Sequence, residues 1–135
     1  MATVSVRYIV NDVQAAIDFY CGNLGFHERM HPNEFFAMLD RDDLRLVLSK
    51  PGGGPGGGQA APDGQLPRPG GWNRFSIEVS DLAGLVDTLR AAKVHTRSDI
   101  VVGVGGRQIV IDDPSGNPVE LFEPTIDEAR LARPG

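Results

Sequence analysis

Apolar and polar residues alternate over Val4, Val6, Tyr8 and Val10, and again over Phe75, Ile77 and Val79. That period of two is the mark of strands with one buried face. Each run then meets an aspartate suited to cap a helix, Asp12 in the first case and Asp81 in the second. Beyond the aspartates the apolar positions move to helical spacing: Val13, Ile17, Tyr20 and Leu24, then Leu82, Val86 and Leu89 with Leu85 beside them. The two stretches read onto each other at a constant offset of 69, residues 5–20 onto 74–89, so that Val10 meets Val79, Asp12 meets Asp81 and Asp18 meets Asp87. The chain is one unit written twice, too few copies for a solenoid.

The pattern continues in parallel after each helix. Gly22, Asn23 and Gly25 end the first helix, and strand-like runs follow at 26–30, 34–39 and 44–49, with Arg41, Asp42 and Asp43 as a polar turn. The second copy predicts a strand over 73–79, a helix over 82–92, and strands over 94–101, 107–111 and 118–123, with the DDPSGN segment 112–117 as a hairpin turn. The GVGG segment 103–106 reads as a further turn that needs positive φ. The expected class is therefore α+β, with two tandem βαβββ modules: module one at 1–50, a linker at 51–71, module two at 72–124 and a tail at 125–135 with a weak helical pattern. The linker holds nine of the 17 glycines and five of the 10 prolines, the composition of a flexible connector, with a ligand-covering role as the alternative. No Gly-Lys-Ser/Thr follows its glycines, so it is no phosphate loop.

Composition narrows the function classes. At 135 residues the chain suits a single domain, and no apolar run approaches the ~20 residues of a membrane span. A net charge of −5 with scattered arginines offers no field for a phosphate backbone, which argues against nucleic acid. The N-terminal residues lack a basic segment followed by a long apolar run, so a cytoplasmic protein is expected. A lone cysteine, Cys21, agrees with a reducing compartment and reads as a small semi-buried residue, not a catalytic thiol.

Two tandem βαβββ modules with YIVNDVQAAIDFYCGNLGF in the first and DDPSGNPVELFEP in the second closely resemble the vicinal oxygen chelate superfamily, which includes glyoxalase I, extradiol dioxygenases, fosfomycin-resistance enzymes and bleomycin-resistance proteins. The resemblance implies a curved, cup-shaped mixed sheet with the helices outside. It also implies four metal-ligand positions, on the first and last strands of each module. Carried onto this sequence they are Ser5, Leu46, Arg74 and Glu120, with Leu46 obtained by aligning DLRLVLS on NPVELFE. Glu120 alone has ligand chemistry, whereas a divalent ion needs three or four donors and a guanidinium opposes it. The vestigial set predicts no metal and no other cofactor. His27 and His31, four apart, could join Glu120 in an unconventional site, while His95 falls elsewhere.

Strand parity, with the resemblance, places Ser5, Arg7, Ile9, Leu46, Leu48, Arg74, Ser76, Glu78, Glu120 and Phe122 on the concave face. Two arginines and two glutamates among apolar groups are expected either to pair with one another, Arg74 with Glu120 for instance, or to grip an acidic or carbonyl-bearing ligand. Phe35, Phe36 and Trp72 could add flat surfaces for an aromatic ligand. The candidate ligand-binding set is thus Arg7, Phe35, Phe36, Leu46, Trp72, Arg74, Glu78, Glu120 and Phe122. The function expected is that of a metal-independent small-molecule binding protein of the bleomycin-resistance type, a homodimer by resemblance, that sequesters a bulky, partly aromatic compound. The alternative is a glyoxalase- or dioxygenase-like enzyme with an unconventional metal site or Glu120 as catalytic base.

Overall fold

The computed structural model describes residues 4–53 and 57–130. The chain divides into two compact units, Met1–Gly71 with Pro114–Asn117, and Trp72–Asp113 with Pro118–Gly135. The first carries β1 (Val4–Ile9), α1 (Val13–Asn23), β2 (His27–Asn33), β3 (Phe36–Arg41) and β4 (Leu44–Ser49). The second carries β5 (Ser76–Glu78), α2 (Leu82–Ala91), β6 (Val101–Val102), β7 (Gly106–Asp112) and β8 (Pro118–Pro124), followed by a short 3-10 helix, Asp127–Ala129. Their sheets have the orders β1-β4-β3-β2 and β5-β8-β7-β6, each with one parallel pair, β1 with β4 and β5 with β8. The α+β class and the duplicated βαβββ plan stand. No helix among the described residues is long and apolar enough to cross a membrane.

Local chemistry explains the repetition. Asp12 Oδ1 accepts from the Ala15 amide at 3.0 Å and Asp81 Oδ1 from the Gly84 amide at 3.1 Å, so both aspartates satisfy an orphan donor at a helix start. Helix α1 buries Val13, Ala16, Ile17 and Tyr20, the i, i+3, i+4, i+7 stripe, and Tyr20 stands edge-on to Phe19 and Phe26 at 5.0 and 5.4 Å between ring centroids. The Leu24 amide closes the helix on the Tyr20 carbonyl and Gly25 follows with φ +73°. Helix α2 buries Leu82, Val86 and Leu89. Cys21 is half-buried; burial first, then the Glu28 and Asp18 carboxylates, push its thiol pKa up, as suits a packing residue.

Several boundaries differ from the expected ones, each for a physical reason. Strand β2 runs on to Asn33 through Pro32, which an edge strand tolerates because it leaves an N–H side unpaired. Two register shifts interrupt its pairing with β3, so the spacing of His27 and His31 no longer puts them on one face; His31 Nδ1 lies 3.6 Å from Glu28 Oε1 instead. Asn33 Oδ1 accepts from the Phe35 amide, which delays β3 to Phe36. The strand expected over 94–101 is reduced to Val101–Val102 plus one bridge, Thr96 to Ile111. Polar contacts take over in between: His95 and Arg97 reach Asp112, and Asp99 meets Arg90. In GVGG no glycine has positive φ; Gly106 is required because a Cβ there would strike the Glu123 carbonyl. Part of the linker is folded onto the first unit, with the Gly52 amide on the Gly58 carbonyl at 2.8 Å and Gly53 against the Phe35 ring.

Candidate functional site

In each unit the helix covers one sheet face and the other is the more exposed, and register decides which residues go where. In the first unit Val6 pairs with Leu46, Tyr8 with Leu48, Leu46 with Leu39 and Leu48 with Ala37. These residues belong to the buried core, and Leu46 is 0% exposed. Leu46 is therefore on the opposite face from Ser5, Arg7 and Ile9, against the expectation. The backbone shows why. The Val10 amide donates to the Ser49 carbonyl and the Val79 amide to the Phe122 carbonyl, so the last strands correspond at an offset of 73, one residue less than the linear alignment assumed. A slip of one residue exchanges the faces of a strand. The counterpart of Glu120 is Val47, which pairs with Arg7 as Glu120 pairs with Ser76.

The other face of the first unit thus carries Ser5, Arg7 and Ile9 beside Arg45, Val47 and Ser49, and then Asp40, Met38 and Phe36, with Val47 and Ser49 buried. Phe36 is half-buried there. Arg7 runs under Gly57, whose φ of +90° brings backbone against the guanidinium where any side chain would collide with it. Phe35 lies in the turn before β3, with Lys50 Nζ 5.6 Å from its ring centroid. A separate open cavity of about 550 Å³ lies at the start of α1, between Asn11, Asp12, His31, Asn33, Glu34 and Lys50; none of the expected ligand-binding residues lines it.

The second unit holds the denser constellation. Ser76, Glu120 and Val110 form one row of its open face, and Glu78, Phe122 and Gln108 the next. Arg74 grips Glu120 from the same oxygen twice, Nε to Oε1 at 3.1 Å and Nη2 to Oε1 at 2.9 Å, while Ser76 Oγ donates to Oε2 at 2.8 Å. The side chains of Arg74 and Glu120 are 27% and 16% exposed, so the pair is partly desolvated. Arg74 Nη1 also donates to the Trp72 carbonyl at 3.2 Å. Asp112, two residues along β7 from Val110, lies on this same face and binds a second arginine, Arg97 Nε to Oδ1 at 2.8 Å, with His95 Nδ1 on Oδ2 at 2.6 Å. The Arg97 guanidinium lies over the Trp72 ring, 4.4 Å from its centroid. Trp72 itself is 67% exposed.

This arrangement limits the chemistry. Both Glu120 oxygens already accept hydrogen bonds, which makes the carboxylate an anchored counter-ion instead of a free base. The residues do not fit a divalent cation at the family's positions: Ser5 and Val47 in the first unit offer no charged donor, and in the second a guanidinium occupies the space beside Glu120. Among the described residues no three His, Cys, Asp or Glu side chains gather in a group that could hold a metal ion. Of the expected set, Trp72, Arg74 and Glu120 are brought into one network, and Glu78 and Phe122 share its face. Sequence reasoning missed Arg97, Asp112 and His95. The alternation of Val110 and Asp112 along β7 was the available signal, hidden because 112–117 reads so readily as a turn.

Relatives agree with the fold. No curated protein matches the chain. Among solved structures, a glyoxalase/bleomycin resistance protein/dioxygenase superfamily member from Sphaerobacter thermophilus is 27% identical, with 91% of this chain and 98% of that one covered at a TM-score of 0.70. TnmS3, an antibiotic binding protein from Streptomyces sp. CB03234, is 23% identical over 93% and 98% at 0.67, and a lactoylglutathione lyase from Agrobacterium tumefaciens is 21% identical over 90% and 92% at 0.68. These last two show the fold alone. The model of the Glyoxalase/Bleomycin resistance protein/Dioxygenase superfamily matches residues 3–121, and the chain belongs to that superfamily.

Proposed function

We propose that this protein binds a small molecule without a metal, in the manner of the bleomycin-resistance branch, and sequesters a bulky, partly aromatic compound without converting it. The observation that carries this reading is the fate of Glu120. The single acidic group left at the family's ligand positions is tied to Arg74 and Ser76, so the place of a cation is taken by a guanidinium. Binding then relies on fixed polar groups and aromatic surface, the usual composition of a small-molecule site. The fold is one that an antibiotic binding protein, TnmS3, also uses, so it is compatible with the reading. A cytoplasmic location and a homodimeric state are part of the same proposal.

The test uses the single tryptophan as its reporter. Titration with a panel of aromatic natural products is expected to quench Trp72 fluorescence at micromolar concentrations, and mass spectrometry of the extracted compound is expected to return it unchanged. Catalytic turnover of any quenching compound would overturn sequestration and favour the enzyme reading, glyoxalase- or dioxygenase-like.

A further inference from the structure

Trp72 is two-thirds exposed, yet both its backbone and its ring have partners. Its backbone carbonyl is held by Arg74 Nη1 at 3.2 Å. Its ring rests on the Arg97 guanidinium at 4.4 Å. That guanidinium is itself fixed, because Asp112 holds its Nε at 2.8 Å and the Arg97 side chain is only 15% exposed. Asp112 in turn keeps its other oxygen on His95. One face of the ring is therefore covered by a braced cation, while exposure of 67% leaves the remainder of the ring to solvent.

We infer that Trp72 is a preset stacking shelf for a flat aromatic ring system that is uncharged or anionic, with Arg97 as the residue that positions it. Ordering a large side chain before the ligand arrives removes that entropy from the cost of binding. The charge preference follows from the ring quadrupole. A cation gains from an electron-rich indole face, but here Arg97 already draws on that density, so a second cation on the far face finds less to attract it. Dispersion and stacking with a neutral or anionic plane are not reduced in this way. The inference rests on the small-molecule-binding reading and names the class of compound.

Three probes separate the possibilities by calorimetric titration: anthraquinone sulfonate, a planar anion; ethidium, a planar cation; and adamantane carboxylate, an anion with no plane. Trp72→Ala is expected to weaken anthraquinone sulfonate by roughly tenfold or more. It should leave any affinity for adamantane carboxylate unchanged, and ethidium should bind no more tightly than the sulfonate. Trp72→Phe, which keeps a stacking surface, should recover part of the loss and guard against a folding defect. Arg97→Met should weaken the sulfonate and shorten the local anisotropy decay of Trp72, and Arg97→Lys should restore both in part. Sulfonate affinity indifferent to Trp72→Ala overturns the shelf while leaving the binding function intact. So does Trp72-dependent binding of ethidium that exceeds that of the sulfonate. If the wild-type protein binds none of the three, the shelf is overturned, and the natural-product titration alone decides the binding function.

Discussion

Leu46→Ala is expected to lower unfolding stability by about 2–5 kcal/mol, the usual cost of emptying a buried leucine site. Leu46 is 0% exposed and pairs laterally with Val6 and Leu39, in a layer that also contains Tyr8, Leu48 and Ala37. The neighbouring strands are hydrogen-bonded on both sides, so the site cannot collapse readily to fill the void. Urea denaturation followed by circular dichroism gives the loss directly. Val47, on the other face, is 6% exposed and also sits on a central strand, so Val47→Ala is expected to cost about 1–2 kcal/mol, less only because valine loses fewer atoms than leucine. A loss below about 1 kcal/mol for Leu46→Ala would contradict its place in the core.

Asn117→Ala is expected to cost about 1–3 kcal/mol, although its side chain belongs to a turn. Asn117 is 5% exposed and makes two tertiary hydrogen bonds, Nδ2 to the Ile9 carbonyl at 2.7 Å and Oδ1 from the Gly70 amide at 2.8 Å. Beside it Ser115 Oγ accepts from the Asn11 amide at 2.9 Å. Alanine leaves the carbonyl and the amide to find water, and that desolvated loss outweighs the entropy regained. Asn117→Asp should not rescue the protein: it retains the acceptor for Gly70 but sets a second oxygen against the Ile9 carbonyl. A variant as stable as wild type in the same denaturation measurement would show that this turn is held by its backbone alone.

The duplicated plan was legible because its signals are local. Period-two alternation, an aspartate before each helix and the spacing of Val13, Ile17 and Tyr20 each follow from short-range geometry that neighbouring structure reinforces. Register is a different kind of fact. In LRLVLS the residues Leu46, Val47 and Leu48 are all apolar, so parity leaves no trace in the sequence, and the one-residue slip that misplaced Leu46 is fixed by hydrogen bonds between strands far apart in the chain. DDPSGN misled in a similar way. It does form a turn, with Gly116 at φ +83°, yet its Asn117 and Ser115 serve long-range contacts and its Asp112 belongs to a strand.

The same division runs through the site. Arg74 and Glu120 were legible as a pair because the resemblance marks both positions, one seven residues before Asp81 and the other before LF in PVELFEP, and their charges are opposite. Arg97 and His95 were not, because the segment that carries them departs from strand geometry to reach Asp112, and a polar side chain on irregular backbone has no period to betray its direction. Trp72 was named for its chemistry; what holds it became visible only with Arg97 beneath its ring.

If the guanidinium of Arg74 takes the place of a cation beside Glu120, the protein carries no metal there. Metal analysis of untagged protein, purified without chelators and compared with Glu120→Ala, tests it most directly. Metal far below one ion per chain is expected in both proteins. One tightly bound divalent ion per chain in the wild type, lost in Glu120→Ala, would contradict it.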